Sequence, residues 1–398
     1  MPKFIKPTVL VLISGLISIP AMLKAQDTYP ITTAVPFLLI GPDARAGSMG
    51  ETGVASDPDP LSIHWNAAKY AFIDKKMGFS VSYSPWLRQL VNDIGLGYLS
   101  FYYRFDDKQA LGASLRYFSL GEITFTDNEG NPKGTYSPNE FSLDAAYSRK
   151  LTDNLSGAVT GRFIYSNLTL GQTVQGQESH AGTSFAADLS LFYTRDFYIN
   201  RNDAWFNFGL NISNIGAKIA YTSTIEKDFI PTNLRLGPSF KYAFDDYNTI
   251  SFNIDITKLL VPTPPIYKLD SLTGQPIVDD QGNQVIEKGY DPRVSVFKGM
   301  IQSFYDAPGG FSEELKEITY AIGAEYLYNK QFALRAGYFH ESAEKGARQF
   351  FTFGAGLRYN VFSLDFSYLV STDQRNPLDK TLRFTLNFDF DAFRSQGR

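Results

Sequence analysis

The stretch Met77-Gly-Phe-Ser-Val-Ser-Tyr83 alternates large apolar side chains with small or polar ones. Met77, Phe79, Val81 and Tyr83 share one face, and Gly78, Ser80 and Ser82 share the other. Successive side chains of a strand point to opposite faces, so this is a strand with one apolar face and one small, polar face. The last such stretch is as plain. Leu382, Phe384, Leu386, Phe388 and Phe390 alternate with Arg383, Thr385, Asn387 and Asp389.

Between these two, the same period of two recurs over residues 94–105, 110–119, 140–150, 155–166, 183–193, 204–214, 233–244 and 249–259. After a long interruption it returns at 318–328, 332–340, 350–359, 362–370 and 381–390. The total is about fourteen strands of roughly ten residues, the length that crosses a bilayer at a tilt of about 45°. A soluble sandwich also alternates, so connection length has to decide. Asp106-Asp107-Lys108, Thr152-Asp153-Asn154, Asp245-Asp246-Tyr247 and Asn329-Lys330 are short polar turns. Between them lie long connections at 121–139, 167–182, 215–232, 260–317 and 371–380. Short periplasmic turns alternating with longer external loops are the habit of outer-membrane barrels. The expected fold is therefore an all-β transmembrane antiparallel barrel over residues 76–398, with both termini on the short-turn, periplasmic side.

Composition and address agree. Lys3 and Lys6 precede an apolar run over residues 9–19, closed by Pro20 and Leu23-Lys24-Ala25. That is the pattern of a secretory signal peptide, too short to span a bilayer as a helix, with cleavage expected after Ala25 and a mature start at Gln26. The chain has no Cys, which removes disulfides, thiol catalysis, thiolate metal sites and a lipidated-Cys anchor. With 33 Phe, 24 Tyr and 32 Gly it has the aromatic and glycine content of a barrel with aromatic girdles. A net charge of −4 offers no basic field for nucleic acid.

The inward parity carries Arg116, Asp144, Arg162, Asp188, Arg235, Lys241, Asp255, Glu325, Arg335 and Arg358. Such charges are costly against lipid, so they must face a polar lumen. Both signs interleave, which reads as a self-neutralising lining rather than an ion-selective pore. His64, His180 and His340 are far apart, so no metal centre is expected. His340 shares the parity of Phe332, Leu334 and Tyr338, on the lipid face near the outer rim, with no Ser placed as a nucleophile beside it. No enzyme activity is expected.

Residues 26–75 lack strand alternation. Pro30, Pro36, Pro42, Pro58 and Pro60 break them, and Gly41, Gly47, Gly50 and Gly53 punctuate them. The glycines fit neither a P-loop nor a dinucleotide fingerprint, so tight turns are the reading. A short helix is predicted next, capped by Asp59 with Pro60 first and with Leu61, Trp65, Ala68 and Phe72 on one face. Asp57 and Asp59 read as turn and cap residues. About fifty residues ahead of the first strand are short for an independent core, so a plug inside the lumen is expected.

The connection at 260–317 is long enough to imply a role. Pro262, Pro264 and Pro265 open it as an extended piece, residues 276–286 suggest a hairpin around Asp280-Gln-Gly-Asn283, and Val294, Phe297, Ile301 and Phe304 follow at helical spacing. That apolar helix must bury its face against the loop, the barrel mouth or a partner. Trp86 and Leu87 in the first external loop are a smaller apolar candidate, and Phe311 a further one.

Phe37-Leu-Leu-Ile-Gly-Pro-Asp-Ala-Arg-Ala-Gly47, followed by Met49-Gly50, Gly53-Val-Ala55 and Ser62-Ile-His-Trp-Asn66, resembles the plug signature of the PorV (LptO) family of the type IX secretion system. The residues that carry it include Gly41, Pro42, Asp43, Arg45, Gly47, Gly50, His64, Trp65 and Asn66. More distantly the chain is similar to FadL long-chain fatty-acid transporters, which share a fourteen-stranded barrel with an N-terminal hatch. Where those carry Asn-Pro-Ala, this chain reads Asn66-Ala67-Ala68, so its helix is expected to continue without a kink. The PorV resemblance implies an outer-membrane shuttle without cofactor. It would take cargo by a C-terminal signal domain from a translocon barrel of the SprA/Sov type and present it to a PorU-type sortase. The FadL resemblance implies the alternative, a channel for hydrophobic small molecules. Candidate partner-binding residues are Trp86, Leu87, Phe297, Ile301, Phe304 and Phe311.

Overall fold

The computed structural model describes residues 30–390, apart from 89–90, 92, 127–128, 169–170, 172, 175–176, 223–226 and 374–375. The signal-peptide expectation lies outside the described residues.

Fourteen strands close into one antiparallel barrel in chain order. They are β1 (Met77–Pro85), β2 (Ile94–Arg104), β3 (Gln109–Leu120), β4 (Asn139–Lys150), β5 (Leu155–Asn167), β6 (Gly182–Ile199) and β7 (Asn202–Gly216). There follow β8 (Asn233–Ala243), β9 (Asn248–Leu259), β10 (Ile318–Tyr328), β11 (Phe332–His340), β12 (Gln349–Tyr359), β13 (Phe362–Ser371) and β14 (Leu382–Asp389). Closure is direct: β1 pairs with β14 from Gly78↔Asp389 to Tyr83↔Phe384. A closed ring leaves no unpaired backbone edge to face lipid.

The alternation resolves as read. In β1, Val81 and Tyr83 are exposed on the lipid side, whereas Ser80, Ser82 and Ser84 are buried. Every expected strand is present, with ends shifted by a residue or two except at one hairpin. Residues 194–203, read as a connection, are the arms of β6 and β7, which pair as far as Ile199↔Asn202. Thr194-Arg195-Asp196 breaks the apolar alternation there, while the backbone ladder continues. Asn200 and Arg201 turn the chain with φ of 51° and 73°, the left-handed pair that a type I′ hairpin needs.

The strand ring begins and ends on the short-turn side. No helix among the described residues is long and apolar enough to cross a membrane, and the crossing is made by strands. The inner face of the ring is lined with Ser, Gly, Ala and Thr, and residues 34–73 fill the space these small side chains leave. They include two four-residue helices, α1 (Ala44–Gly47) and α2 (Ser62–Trp65), and two 3-10 turns, Pro36–Leu39 and Ala67–Phe72. Val35, Phe37 and Leu38 pack on Leu96, Phe118, Ile164, Ile219 and Ile230 toward the outer end. Leu61, Ile63 and Tyr70 pack on Tyr98, Tyr102 and Phe192 farther in.

Connection 260–317 folds as a small external subdomain. Its hairpin is longer than read: Ile266–Tyr267 pairs with Ile286–Lys288, and the tip turns at Asp279, whose carbonyl accepts from Gly282 N–H at 3.0 Å. Two helices close it, α3 (Val296–Gln302) and α4 (Phe311–Lys316). The second helix was not foreseen.

Candidate partner-binding surface and the filled lumen

The signature residues hold the inner segment to itself and to the wall. Asp43 caps α1 by accepting from Ala46 N–H at 2.8 Å, and its second oxygen accepts from Trp65 Nε1–H at 2.6 Å. Burial pushes the Asp43 carboxyl up to about 6. Pro42 beside it is buried, and Gly41 lies against the Trp65 ring, where a Cβ would approach to 3.2 Å. Gly47 passes the Arg383 side chain closely enough that a side chain would strike it. Gly50, at φ 69°, sits on the wall itself: a Cβ would fall 2.7 Å from the Tyr338 carbonyl oxygen, and its N–H donates to Thr352 Oγ1 at 2.7 Å.

Arg45 is the hub of a charge chain. It donates to both Glu325 oxygens at 3.2 and 3.0 Å and to Asp59 at 2.8 Å. Glu325 also accepts from Arg335 at 2.6 Å, and Arg335 reaches Asp365 at 2.7 Å. One inner-segment cation thus ties to β10, β11 and β13. Farther round, Asp255 accepts from Gly53 and Val54 N–H at 2.9 and 3.0 Å. Arg162 pairs with Asp144 and Asp188 at 2.7 and 3.0 Å. Much of the lining is therefore self-neutralised, as its interleaved signs suggested, but several wall charges also grip the inner segment. Arg358, lying in the periplasmic cavity, is exposed.

Three sequence expectations need correction. The helix through Trp65 does not run on: Asn66 is extended at φ −168°, ψ 100°, and breaks it. Its side chain is why. Nδ2 donates to Val54 O at 3.0 Å and Leu191 O at 2.8 Å, while Oδ1 accepts from Ala68 N–H at 3.1 Å. Phe72, half-buried, still packs on the cluster that contains Leu61 and Ala68, against Phe192. The helix starts only at Ser62, after Leu61, so Asp59 is not its cap and Pro60 not its first residue. Asp59 turns the chain by accepting from Leu61 N–H at 3.0 Å and also pairs with Arg45, and Asp57 pairs with Lys241 of β8 at 2.7 Å. Long-range pairs of this kind leave no local spacing to read. Neighbouring His64 accepts at Nδ1 from Arg116 Nη2 at 2.6 Å; burial, with the nearby arginines, drives its pKa down and keeps it neutral. Arg235 stacks over the Trp65 ring at 4.5 Å.

Two cavities lie on either side of the inner segment. The periplasmic one, about 1020 Å³, is lined by Asp57, Phe72, Phe192, Asp246, Lys330 and Arg358 among others. The outer one, about 340 Å³, is lined by Leu39, Ile40, Trp86, Leu259, Leu369 and Leu378 among others. Trp86 is half-buried there and packs on the outer core cluster, and Leu87, at φ 51°, is half-buried too.

The candidate residues of the long loop are placed differently. Helix α3 buries Gly299, Gln302 and Ser303, the small and polar side, with Gly299 against Phe229 and Pro262. Its apolar side faces out: Phe297 is 70% exposed, Ile301 66%, Phe304 51%, and Phe311 of α4 76%. Packing within the loop is thus excluded as the use of this face. What fixes α4 is ionic. Lys258, at the outer end of β9, donates to Glu314 and Glu317 at 2.9 and 2.8 Å, and Lys345 reaches Glu317 at 3.0 Å. These groups are buried, and buried carboxylates beside buried ammonium groups hold one geometry firmly.

A closed fourteen-stranded ring with lipid-facing aromatics and a filled lumen defines an integral outer-membrane β-barrel. The family model of the type IX secretion system protein PorV matches residues 23–266, and the chain belongs to that family. Among solved structures, the TodX monoaromatic hydrocarbon channel deltaS2S3 mutant is similar at 13% identity and TM-score 0.50, covering 87% of this chain and 97% of that one. The Pseudomonas putida toluene transporter TodX follows at 14% and 0.47, covering 87% and 96%. A Pseudomonas aeruginosa FadL homologue stands at 12% and 0.43, covering 91% and 100%. At these identities the likeness concerns the fold alone. No curated protein matches the chain in sequence.

Proposed function

We propose that this outer-membrane protein is the shuttle of a type IX secretion system, binding its partners through the outer rim. It takes the C-terminal signal domain of a cargo protein at a SprA/Sov-type translocon barrel and delivers it to a PorU-type sortase at the surface. Residues 26–75 act in it as a plug. The observation that carries this reading is the outward apolar face of α3 and α4, with α4 held by buried ion pairs and α3 by the Gln302 amide on Asp291 and Asp306, above a lumen filled by its own chain. Large aromatic and aliphatic side chains left in water on a fixed scaffold are what a protein partner buries at the centre of an interface. A channel role would require the inner segment to give up Arg45–Glu325, Gly53–Asp255 and Gly50–Thr352 together.

The test is affinity capture from native membranes with the wild-type chain and with a Phe297→Ser, Ile301→Ser, Phe304→Ser variant. Wild type brings down a translocon barrel or sortase, and the variant does not, while its barrel remains heat-modifiable. Deletion of residues 262–311 abolishes cargo secretion. Normal secretion by the deletion strain refutes the loop's role.

A further inference from the structure

On the periplasmic side one hairpin outruns its neighbours. The β6–β7 ladder continues to Ile199↔Asn202, whereas β5 leaves β6 at Leu155↔Tyr193 and β8 leaves β7 at Tyr242↔Ala204. Past Tyr193, Asn154 still meets Thr194 through its carbonyl and its side chain, at 2.8 Å each. Among the described residues no strand lies beside residues 195–199 on the side away from β7. A strand edge of this kind presents backbone N–H and C=O groups that a further strand can pair. The inner face of the overhang carries charge and rings. Asp196 stands across from Trp205 and Tyr198 across from Asp203, so carboxylates and rings alternate along the diagonal. Tyr198 is 75% exposed. Asp196, Asp203 and Trp205 line the periplasmic cavity, with Asp245 and Asp246 of the next turn beside them. Of the cations on this bank, Lys241 is taken by Asp57 at 2.7 Å and lies 4.7 Å over the Trp205 ring, which leaves Arg201 at the tip.

We propose that the β6 edge takes up an extended basic segment of a periplasmic protein as an added strand. The edge supplies main-chain hydrogen bonds, and the period of two decides the side chains. Every second residue of the added strand falls on the side of Asp196 and Tyr198. A Lys or Arg opposite Asp196 meets a carboxylate, and one opposite Tyr198 meets a ring with Asp203 behind it. The residues between fall beside Arg195, Phe197 and Ile199, where uncharged side chains fit. Charge selects the occupant. An acidic segment would face four carboxylates with only Arg201 to offset them, and an apolar one would leave Asp196 and Asp203 without a counter-charge. This edge lies at the opposite end of the barrel from α3 and α4, so the assignment stands apart from the outer-rim reading.

The test uses the full chain in phosphatidylcholine nanodiscs and a fluorescent, end-blocked peptide of sequence Thr-Lys-Val-Arg-Val-Lys-Thr, with empty nanodiscs as the blank. Expected is saturable binding near one per chain that weakens as salt rises. Asp196→Asn combined with Asp203→Asn, both at exposed positions, weakens it at least tenfold and leaves the barrel heat-modifiable. Asp196→Lys with Asp203→Lys exchanges the preference and takes up the peptide that has Glu in place of Lys and Arg. Two further forms of the basic peptide are methylated on alternate backbone nitrogens. One loses binding and the other keeps it, because only one set of N–H groups faces β6. Phe297→Ser, at the outer rim, binds like wild type. Absence of saturable binding, or equal binding by the Asp196→Asn, Asp203→Asn variant, overturns the site. Equal binding of the parent and both methylated forms overturns strand addition, and equal binding of the Glu peptide by wild type overturns the choice of a basic partner.

Discussion

Gly50 meets the wall more closely than any side chain could. A Cβ there would require both a left-handed φ and a 2.7 Å approach to the Tyr338 backbone. Strain of the first kind alone costs about 1–3 kcal/mol. Gly50→Ala should therefore lower the temperature at which the barrel loses its compact band in heat-modifiability gels, and an unchanged temperature would contradict the seating described. Asp306, in the external subdomain, is a second telling position. One oxygen accepts from Thr263 N–H at 3.1 Å and from Gln302 at 3.3 Å, the other has no partner, and burial pushes its carboxyl up to about 6. A carboxyl whose folded pKa lies above its unfolded value holds its proton more tightly when folded, so its packing weakens as pH rises from about 4 to about 6. Glu314 and Glu317 facing it act in the same direction, while Lys258 offsets them. Limited proteolysis of residues 262–311 should thus be slower at pH 5 than at pH 7.5, and Asp306→Asn should remove the difference. Neither residue's role is visible in its neighbours along the chain. Gly50 reads as one of several turn glycines until the wall it touches is known.

At the scale of elements, period two in β1–β14 was legible because each strand sees lipid on one side and small residues on the other. The β6–β7 arms were not, because outside the membrane the apolar face is no longer required while the hydrogen-bond ladder persists. The long loop was legible in part. Helical spacing of Phe297, Ile301 and Phe304 located α3 but left its apolar face to the loop, the barrel mouth or a partner. The chain buries Gly299, Gln302 and Ser303 and turns the aromatics out. Two predictions separate scaffold from surface. Phe297→Ser with Ile301→Ser should leave barrel stability within about 0.5 kcal/mol of wild type, as exposed substitutions do, and abolish partner capture. Lys258→Met removes the shared cation of Glu314 and Glu317, a loss of about 3–5 kcal/mol for a buried pair, and should make residues 262–311 protease-sensitive with the strands still protected. Equal protease resistance of loop and barrel in that variant would show that the ion pairs are not what holds α4.

For the molecule as a whole, the decisive question is how firmly the inner segment is held, since the same barrel could serve as a conduit or as a sealed scaffold. Its anchors come from several wall strands: Asp255 and Glu325 on the paired β9 and β10, Thr352 on β12, and, farther round the ring, the Leu191 carbonyl of β6 that Asn66 meets. Anchors so distributed cannot be released by the shift of a single strand. Sequence revealed that residues 26–75 were not strand and were too few for a core of their own, and the charged inward parity of the wall was equally visible. Which wall charge meets which inner residue was not, because the partners lie up to 341 positions apart in the case of Ala44 and Thr385. In planar bilayers the wild-type barrel should therefore be electrically silent. Arg45→Ala combined with Asp255→Ala removes the hub toward β10 and the double acceptor on β9 and should produce discrete openings, whereas either substitution alone should produce few. If the double variant is as silent as wild type while still inserted and heat-modifiable, apolar packing of Val35, Phe37, Leu38, Leu61, Ile63 and Tyr70 is sufficient to seal the lumen, and the polar contacts only set the register of the segment.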